Sequence, residues 1–287
     1  MNTTPDQRPT VIDGAWGTQL QARGLPVGAC PELWNTENPD AVRAVAAGYV
    51  EAGSQVILTN TFGANIFILG RHGAESRVAE LARAGAACSR QAAEGRAKVF
   101  GSIGPSGRML ITEEVTPEEL AAGFTVAALA LRDGGVDALV VETMSDIDEA
   151  RIAVEAALTT GLPVVLSMVY DSGGDRPRTM MGHSPTDVAN AFATYPLLAI
   201  GANCGKGADG FHDVVKELRS VTQKPLWIKP NAGLPRMIDG RAAYEQTPEA
   251  FAAEAALLVD EGAAYIGGCC GTSPVFIRAL REVMDRR

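Results

Sequence analysis

Eight short apolar runs, each followed by a stretch of helix-forming residues, set the strongest limit on what this chain can fold into. The runs cover residues 11–15, 56–60, 99–104, 138–143, 163–169, 198–204, 225–231 and 264–269. They are almost continuously apolar instead of alternating, which is the pattern of strands buried on both faces of a parallel sheet. Between them the sequence predicts helices over about 38–53, 75–95, 116–134, 146–159, from near 184, over 209–221, 247–261 and 274–283. Thr116-Pro117-Glu118-Glu119 is a strong helix start, with proline at the first position and a glutamate able to close a capping box. Eight strand–helix units predict an α/β fold, a single (β/α)8 TIM barrel with its site at the C-terminal ends of the strands, and 287 residues suit one. An open doubly wound sheet is the alternative, but no Gly-x-Gly-x-x-Gly follows the first run. Residues 1–10 read as a polar N-terminal tail and 11–287 as one barrel domain.

Charge and cysteine usage narrow the setting. The formal net charge is −9, which argues against nucleic acid or an anionic membrane as partner. The apolar runs are too short to cross a bilayer, and the polar N-terminus lacks the apolar core of a secretory signal. Five cysteines, two of them adjacent, in a chain this long do not suit a secreted disulfide framework. A cytoplasmic protein is expected.

The adjacent pair is Cys269-Cys270, inside Gly267-Gly268-Cys269-Cys270-Gly271-Thr272. Neighbouring cysteines make a poor disulfide, because the small ring forces unfavourable geometry. They make a good metal clamp where glycines let the backbone bend. A third thiol, Cys204 in Asn203-Cys204-Gly205, also ends an apolar run at a glycine. Three thiolates with an open fourth position are the ligand set of a zinc site that binds something else. In a barrel, Asp13, Asn60, Gly104, Glu142, Cys204, Asn231 and Cys269 all fall at C-terminal strand ends, so residues far apart in sequence converge on one face.

The motifs Asp13-Gly14-Ala15-Trp16-Gly17-Thr18, Thr59-Asn60-Thr61-Phe62-Gly63-Ala64, Gly104-Pro105, Glu142-Thr143, Asn203-Cys204, Pro230-Asn231-Ala232-Gly233 and Gly267-Gly268-Cys269-Cys270-Gly271-Thr272 resemble the homocysteine S-methyltransferase family. The resemblance runs from about Val11 to the C-terminus. Within the family it is greatest to the homocysteine-binding zinc module of cobalamin-dependent methionine synthase, while Leu33-Trp34 is similar to members that use S-methylmethionine; other relatives use betaine. It implies a zinc-dependent transfer of a methyl group to the thiolate of L-homocysteine, giving methionine. It also implies Zn²⁺ on Cys204, Cys269 and Cys270, with Asn231 as a fourth ligand until homocysteine arrives. Glu142 would bind the substrate ammonium and the backbone at Asp13-Gly14 the amino-acid end, with Asn60 a further contact. Glu142, Asp13 and Asn231 are thus the expected catalytic set, and Asp13, Gly14, Glu142 and Asn60 the expected substrate-binding set.

The partners expected are homocysteine and a small methyl donor, a sulfonium or a quaternary ammonium compound. The three histidines show no Asp-x-His-x-x-Gly, the cobalamin-ligating pattern, so a cobalamin methyl source would have to come on a separate protein. The chain also ends just after the last predicted helix, without the C-terminal extension of betaine-using members. Two other readings stand beside this one: a zinc thiol-binding module without turnover, or a methyltransferase acting on another thiol. A Schiff-base lyase would need a reactive lysine, for which Lys229, ahead of Pro230, is a weak candidate.

Overall fold

The predicted strands form in one direction and close on themselves. The computed structural model describes residues 8–174, 176–238 and 241–287, so most of the expected polar tail lies outside the described residues. The barrel strands are Thr10–Val11, Val56–Leu58, Lys98–Ile103, Ala138–Met144, Val164–Met168, Ala199–Gly207, Leu226–Asn231 and Ala263–Ile266. All neighbouring pairs are parallel, running from the first strand through the eighth, seventh and so on down to the second. A parallel bridge between Ile12 and Val56 joins the first strand to the second and completes the ring. This is the (β/α)8 barrel that the alternation predicts.

Side-chain alternation divides the apolar residues into two layers. Val11, Ile57, Val99, Leu139, Val141, Leu166, Ile200 and Ile228 point outward and pack under the helices. Ile12, Val56, Leu58, Phe100, Val140, Val165, Ala199 and Trp227 point inward and fill the barrel. Phe100 and Trp227, from the third and seventh strands, stack with ring centroids 6.0 Å apart and planes 14° from parallel. The interior is therefore plugged, and any ligand must sit above it, on the face where the strands end.

The helices start where their caps are. The Glu119 N–H donates to Thr116 Oγ1 and the Thr116 N–H donates to Glu119 Oε2, closing the expected capping box ahead of Pro117–Asp133. Ser184 and Asp187 form a second box for Pro185–Ala191, and Asp146 caps Ile147–Leu158. No described helix is long and apolar enough to cross a membrane.

The differences from expectation lie at strand ends. The first strand is only two residues long, and the second stops at Leu58 because the Ser102 N–H donates to the Thr59 side chain. The eighth stops at Ile266, since Gly267-Gly268 turns the chain away before Cys269. An unforeseen antiparallel hairpin, Arg236–Ile238 with Arg241–Ala243, follows the seventh strand. Asp239-Gly240 is a sequence signal for such a hairpin, hidden by the dominant strand–helix rhythm.

One close approach fixes the sixth strand against the seventh. A Cβ on Gly201 would lie 1.8 Å from the Trp227 carbonyl oxygen, a backbone atom that cannot swing aside. Gly201→Ala should cost at least about 3 kcal/mol, beyond ordinary overpacking. That is a fall in Tm on the order of 5–10 °C by calorimetry. Gly17→Ala, with nothing within 4 Å of the added carbon, should melt like the parent. Equal melting of the two variants would refute this account of the strand pair.

Candidate active site

The bulged end of the sixth strand and the single turn after the eighth bring Cys204, Cys269 and Cys270 together. Their sulfur atoms all lie within 4.8 Å of one another, and Cys204 Sγ is 3.9 Å from Cys270 Sγ. The adjacent pair sits on a tight turn fixed from several sides. The Cys269 N–H donates to the Pro230 carbonyl at 2.7 Å, and the Ala232 N–H donates to the Cys270 carbonyl at 2.9 Å. Thr272 Oγ1 donates to the Cys269 carbonyl at 2.7 Å and accepts from the Ala15 N–H at 3.1 Å. Gly271, at φ +82°, packs against the ring of Tyr244, which would lie 2.2 Å from a Cβ there. Glycine is the residue this turn can hold.

Cys204 is thrown forward by a bulge. Asn203 faces Lys229 and Gly207 faces Asn231, so Cys204, Gly205 and Lys206 together oppose Pro230. Cys204 adopts φ +65°, a left-handed conformation unusual outside glycine and one that concentrates at functional sites. A smaller bulge in the fourth strand sets Glu142 and Thr143 opposite Ser167, with Thr143 at φ +60°.

The metal-free thiols are poor acids. The Cys204–Cys269 hydrogen bond pulls the Cys204 thiol down, yet its bond to Cys270, burial and the charge of Cys270 win and push it up to about 11. Cys270 is eased by its bond with Cys204 but lifted by Cys269 and burial, to about 12. Cys269 is raised by its bond with Cys204, by burial and by the charges around it. Such crowding of three sulfurs is relieved by a soft cation, which takes thiolates as ligands. A further observation fits a metal: Asn231 Oδ1 is buried and accepts no hydrogen bond from the described residues. The residues on either side of Asn231 are the ones bonded to Cys269 and Cys270.

Beside the sulfurs Glu142 and Lys229 line the cavity, with Asp13 behind them. Lys229 Nζ is 2.5 Å from Asp13 Oδ1, with the two side chains 3% and 0% exposed. Asp13 Oδ2 accepts from the Leu58 N–H at 2.7 Å and from Trp16 Nε1 at 2.8 Å. Glu142 accepts from the Ser102 hydroxyl. Burial raises its pKa, with Asp13 adding to the rise and Lys229 and Ser102 opposing it. Burial alone would lower Lys229, but Asp13 and Glu142 outweigh it and hold the ammonium charged. A lysine so held is the opposite of a Schiff-base nucleophile. With Lys229 paired to Asp13, Glu142 is left as a buried carboxylate without an ion-pair partner among the described residues.

The cavity above these groups holds about 420 Å³, in the range of small-molecule sites. Gly14, Asn60, Glu142 and the three cysteines line it, together with Trp16, Phe62 and Tyr244. Asn60 turns its amide away, donating to the Pro31 carbonyl at 2.7 Å and to Asn35 Oδ1 at 2.8 Å. Asp13 and Asn231 lie behind the lining. Ser102 and Tyr244 carry no motif and escape a reading of the sequence; Lys229 was legible only as a lysine near a strand end.

The family model for homocysteine S-methyltransferase matches residues 10–284. The chain is 32% identical over 293 residues to methionine synthase of Mycobacterium tuberculosis, covering 96% of this chain and 24% of that protein. It is 32% identical over 303 residues to methionine synthase of Mycobacterium leprae, covering 98% and 24%. The chain thus spans about a quarter of the length of these relatives. The metallated form of the homocysteine methyltransferase MmuM from Escherichia coli matches with a TM-score of 0.80 and 26% identity, over 96% of both chains. With the family match running over nearly its whole length, the chain belongs to the homocysteine S-methyltransferase family.

Proposed function

We propose that this chain transfers a methyl group to the sulfur of L-homocysteine, giving methionine, with Zn²⁺ held by Cys204, Cys269 and Cys270. The observation that carries the reading is the pairing, in one cavity, of a three-thiol cluster with a buried carboxylate that forms no ion pair among the described residues. A substrate with a thiol at one end and an ammonium at the other answers both. Zinc bound there would supply deprotonation of the substrate thiol at neutral pH and a fixed place for its sulfur.

The chain's own residues do the rest. Glu142 receives the ammonium in a charge-assisted hydrogen bond. The backbone at Gly14 lines the cavity and holds the amino-acid end, while Asp13 keeps Lys229 and Trp16 in place behind it. Asn60 shapes the wall through Pro31 and Asn35, and Asn231 would offer the metal an oxygen that no described residue hydrogen-bonds. Trp16, Phe62 and Tyr244 wall the mouth and limit water at the reacting sulfur. In the transfer the sulfur–carbon bond forms as the bond from carbon to the donor breaks, and the thiol proton leaves to solvent. The donor is a small sulfonium or quaternary ammonium compound, or methylcobalamin, and a reducing cytoplasm suits the free thiols.

Zinc-loaded protein incubated with homocysteine and, in turn, S-methylmethionine, betaine and methylcobalamin should yield methionine by mass spectrometry from at least one. Tight homocysteine binding with no product from any donor would leave a thiol-binding module and overturn the enzyme reading. Methylation of other thiols in preference to homocysteine would move the acceptor.

The raised thiols give a pH signature. Groups held near 11 and 12 are protonated at pH 7, so a metal must displace their protons, and its affinity must fall as pH falls. Calorimetry at pH 7 in buffers of different ionisation enthalpy should count about three protons released per zinc, one for each of the three cysteines. Cys269→Ala should retain far less than one zinc per chain by elemental analysis. Stoichiometric zinc in that variant sinks the ligand set.

Glu142→Gln should leave zinc in place and weaken homocysteine binding by about 10- to 100-fold, the worth of one hydrogen bond to a charged group. Unchanged affinity would assign Glu142 to structure alone.

A further inference from the structure

Asn203 stands at the junction of the two bulges that build the site. It is fully buried, and all four hydrogen-bonding positions of its amide are directed at site elements. Oδ1 accepts from the Thr143 N–H at 3.0 Å and from Ser167 Oγ at 2.6 Å. Nδ2 donates to Thr143 Oγ1 at 2.7 Å and reaches Cys269 Sγ at 3.9 Å. Thr143 is the left-handed residue directly after Glu142, and Cys204, next to Asn203 itself, is a second non-glycine residue of the site in that conformation. Ser167 is the lone residue opposing the Glu142-Thr143 bulge.

We infer that Asn203 is the positioning residue that sets the distance between the sulfur cluster and the Glu142 carboxylate. One planar amide grips the turn carrying the carboxylate with two bonds, and the same group reaches the sulfur of Cys269. The opposing strand supplies Ser167 as a third anchor. Left-handed Thr143 is a strained conformation for a β-branched residue, and it persists only where its surroundings hold it. Asn203 supplies both contacts that do so from the side-chain and backbone of that residue. A ligand bridging the two subsites has its length measured by this amide. A ligand that touches the sulfur cluster alone does not.

The assignment rests on the homocysteine reading, and the test separates the two. The ligands are homocysteine and 4-mercaptobutyrate, the same molecule without its amino group. Binding of each to zinc-loaded protein is measured by calorimetry, with zinc content determined beside it. The parent protein should prefer homocysteine by about 10- to 100-fold, the worth of one charge-assisted hydrogen bond. Asn203→Leu, close in shape but unable to make any of the four contacts, should keep its affinity for 4-mercaptobutyrate while the preference collapses below about threefold. A general loosening of the fold would weaken both ligands together and leave the ratio standing, which overturns the assignment. Ser167→Ala removes one donor to the same Oδ1 and covers the case in which Asn203→Leu does not fold or hold zinc. It should narrow the preference by about threefold, and an unchanged ratio there overturns the proposal equally. Absence of any preference in the parent protein would instead overturn the ammonium role of Glu142.

Discussion

The ion pair between Lys229 and Asp13 ties the first strand to the seventh at the mouth of the barrel. Asp13 follows the shortest strand, which has the second strand on one side and the eighth on the other. Its carboxylate reaches the Leu58 N–H on the second strand, Lys229 on the seventh and the Trp16 indole in the following loop. Its backbone carbonyl accepts from the Gly268 N–H ahead of the two cysteines. Burying such a pair carries a desolvation cost of several kcal/mol per ion, offset only when the remaining lone pairs are used. Here the carboxylate has three donors. With Lys229 committed to Asp13, Glu142 has no ion-pair partner among the described residues and stands ready for a cationic group of a ligand.

The strands and the sulfurs were legible in the sequence for a simple reason. Continuous apolar runs and a Gly-Gly-Cys-Cys-Gly turn are local patterns that do not depend on pairing register. What register decides was hidden. Nothing local marks Cys204 as one of three residues opposing Pro230, or Ser167 as the sole partner of a two-residue bulge. Asp13 illustrates the limit: its place at a strand end was readable, yet only the fold reveals that its oxygens face Leu58, Trp16 and Lys229. Asn60 likewise stands at the cavity wall with its amide turned toward Pro31 and Asn35.

The two halves of the cavity are built by different physics. On one side, strands six to eight meet the sulfurs through backbone hydrogen bonds, left-handed turns and glycines with no room for a side chain. That side is rigid because hydrogen bonds from several elements converge on the same turn. On the other, Trp16 and Phe62 come from loops after the first and second strands, and Phe62 is 43% exposed. Rigid scaffolds with variable loops are the usual division in barrels of this kind.

The bulge in the sixth strand bears on how such a site can arise by descent. In an evenly paired strand, a cysteine at this place would keep its sulfur in the pleat of the ladder, pointing along the barrel wall or into its plug. Two additional residues relative to the seventh strand let the chain swing Cys204 toward the eighth-strand loop. Chain length therefore has to change before, or together with, amino-acid identity.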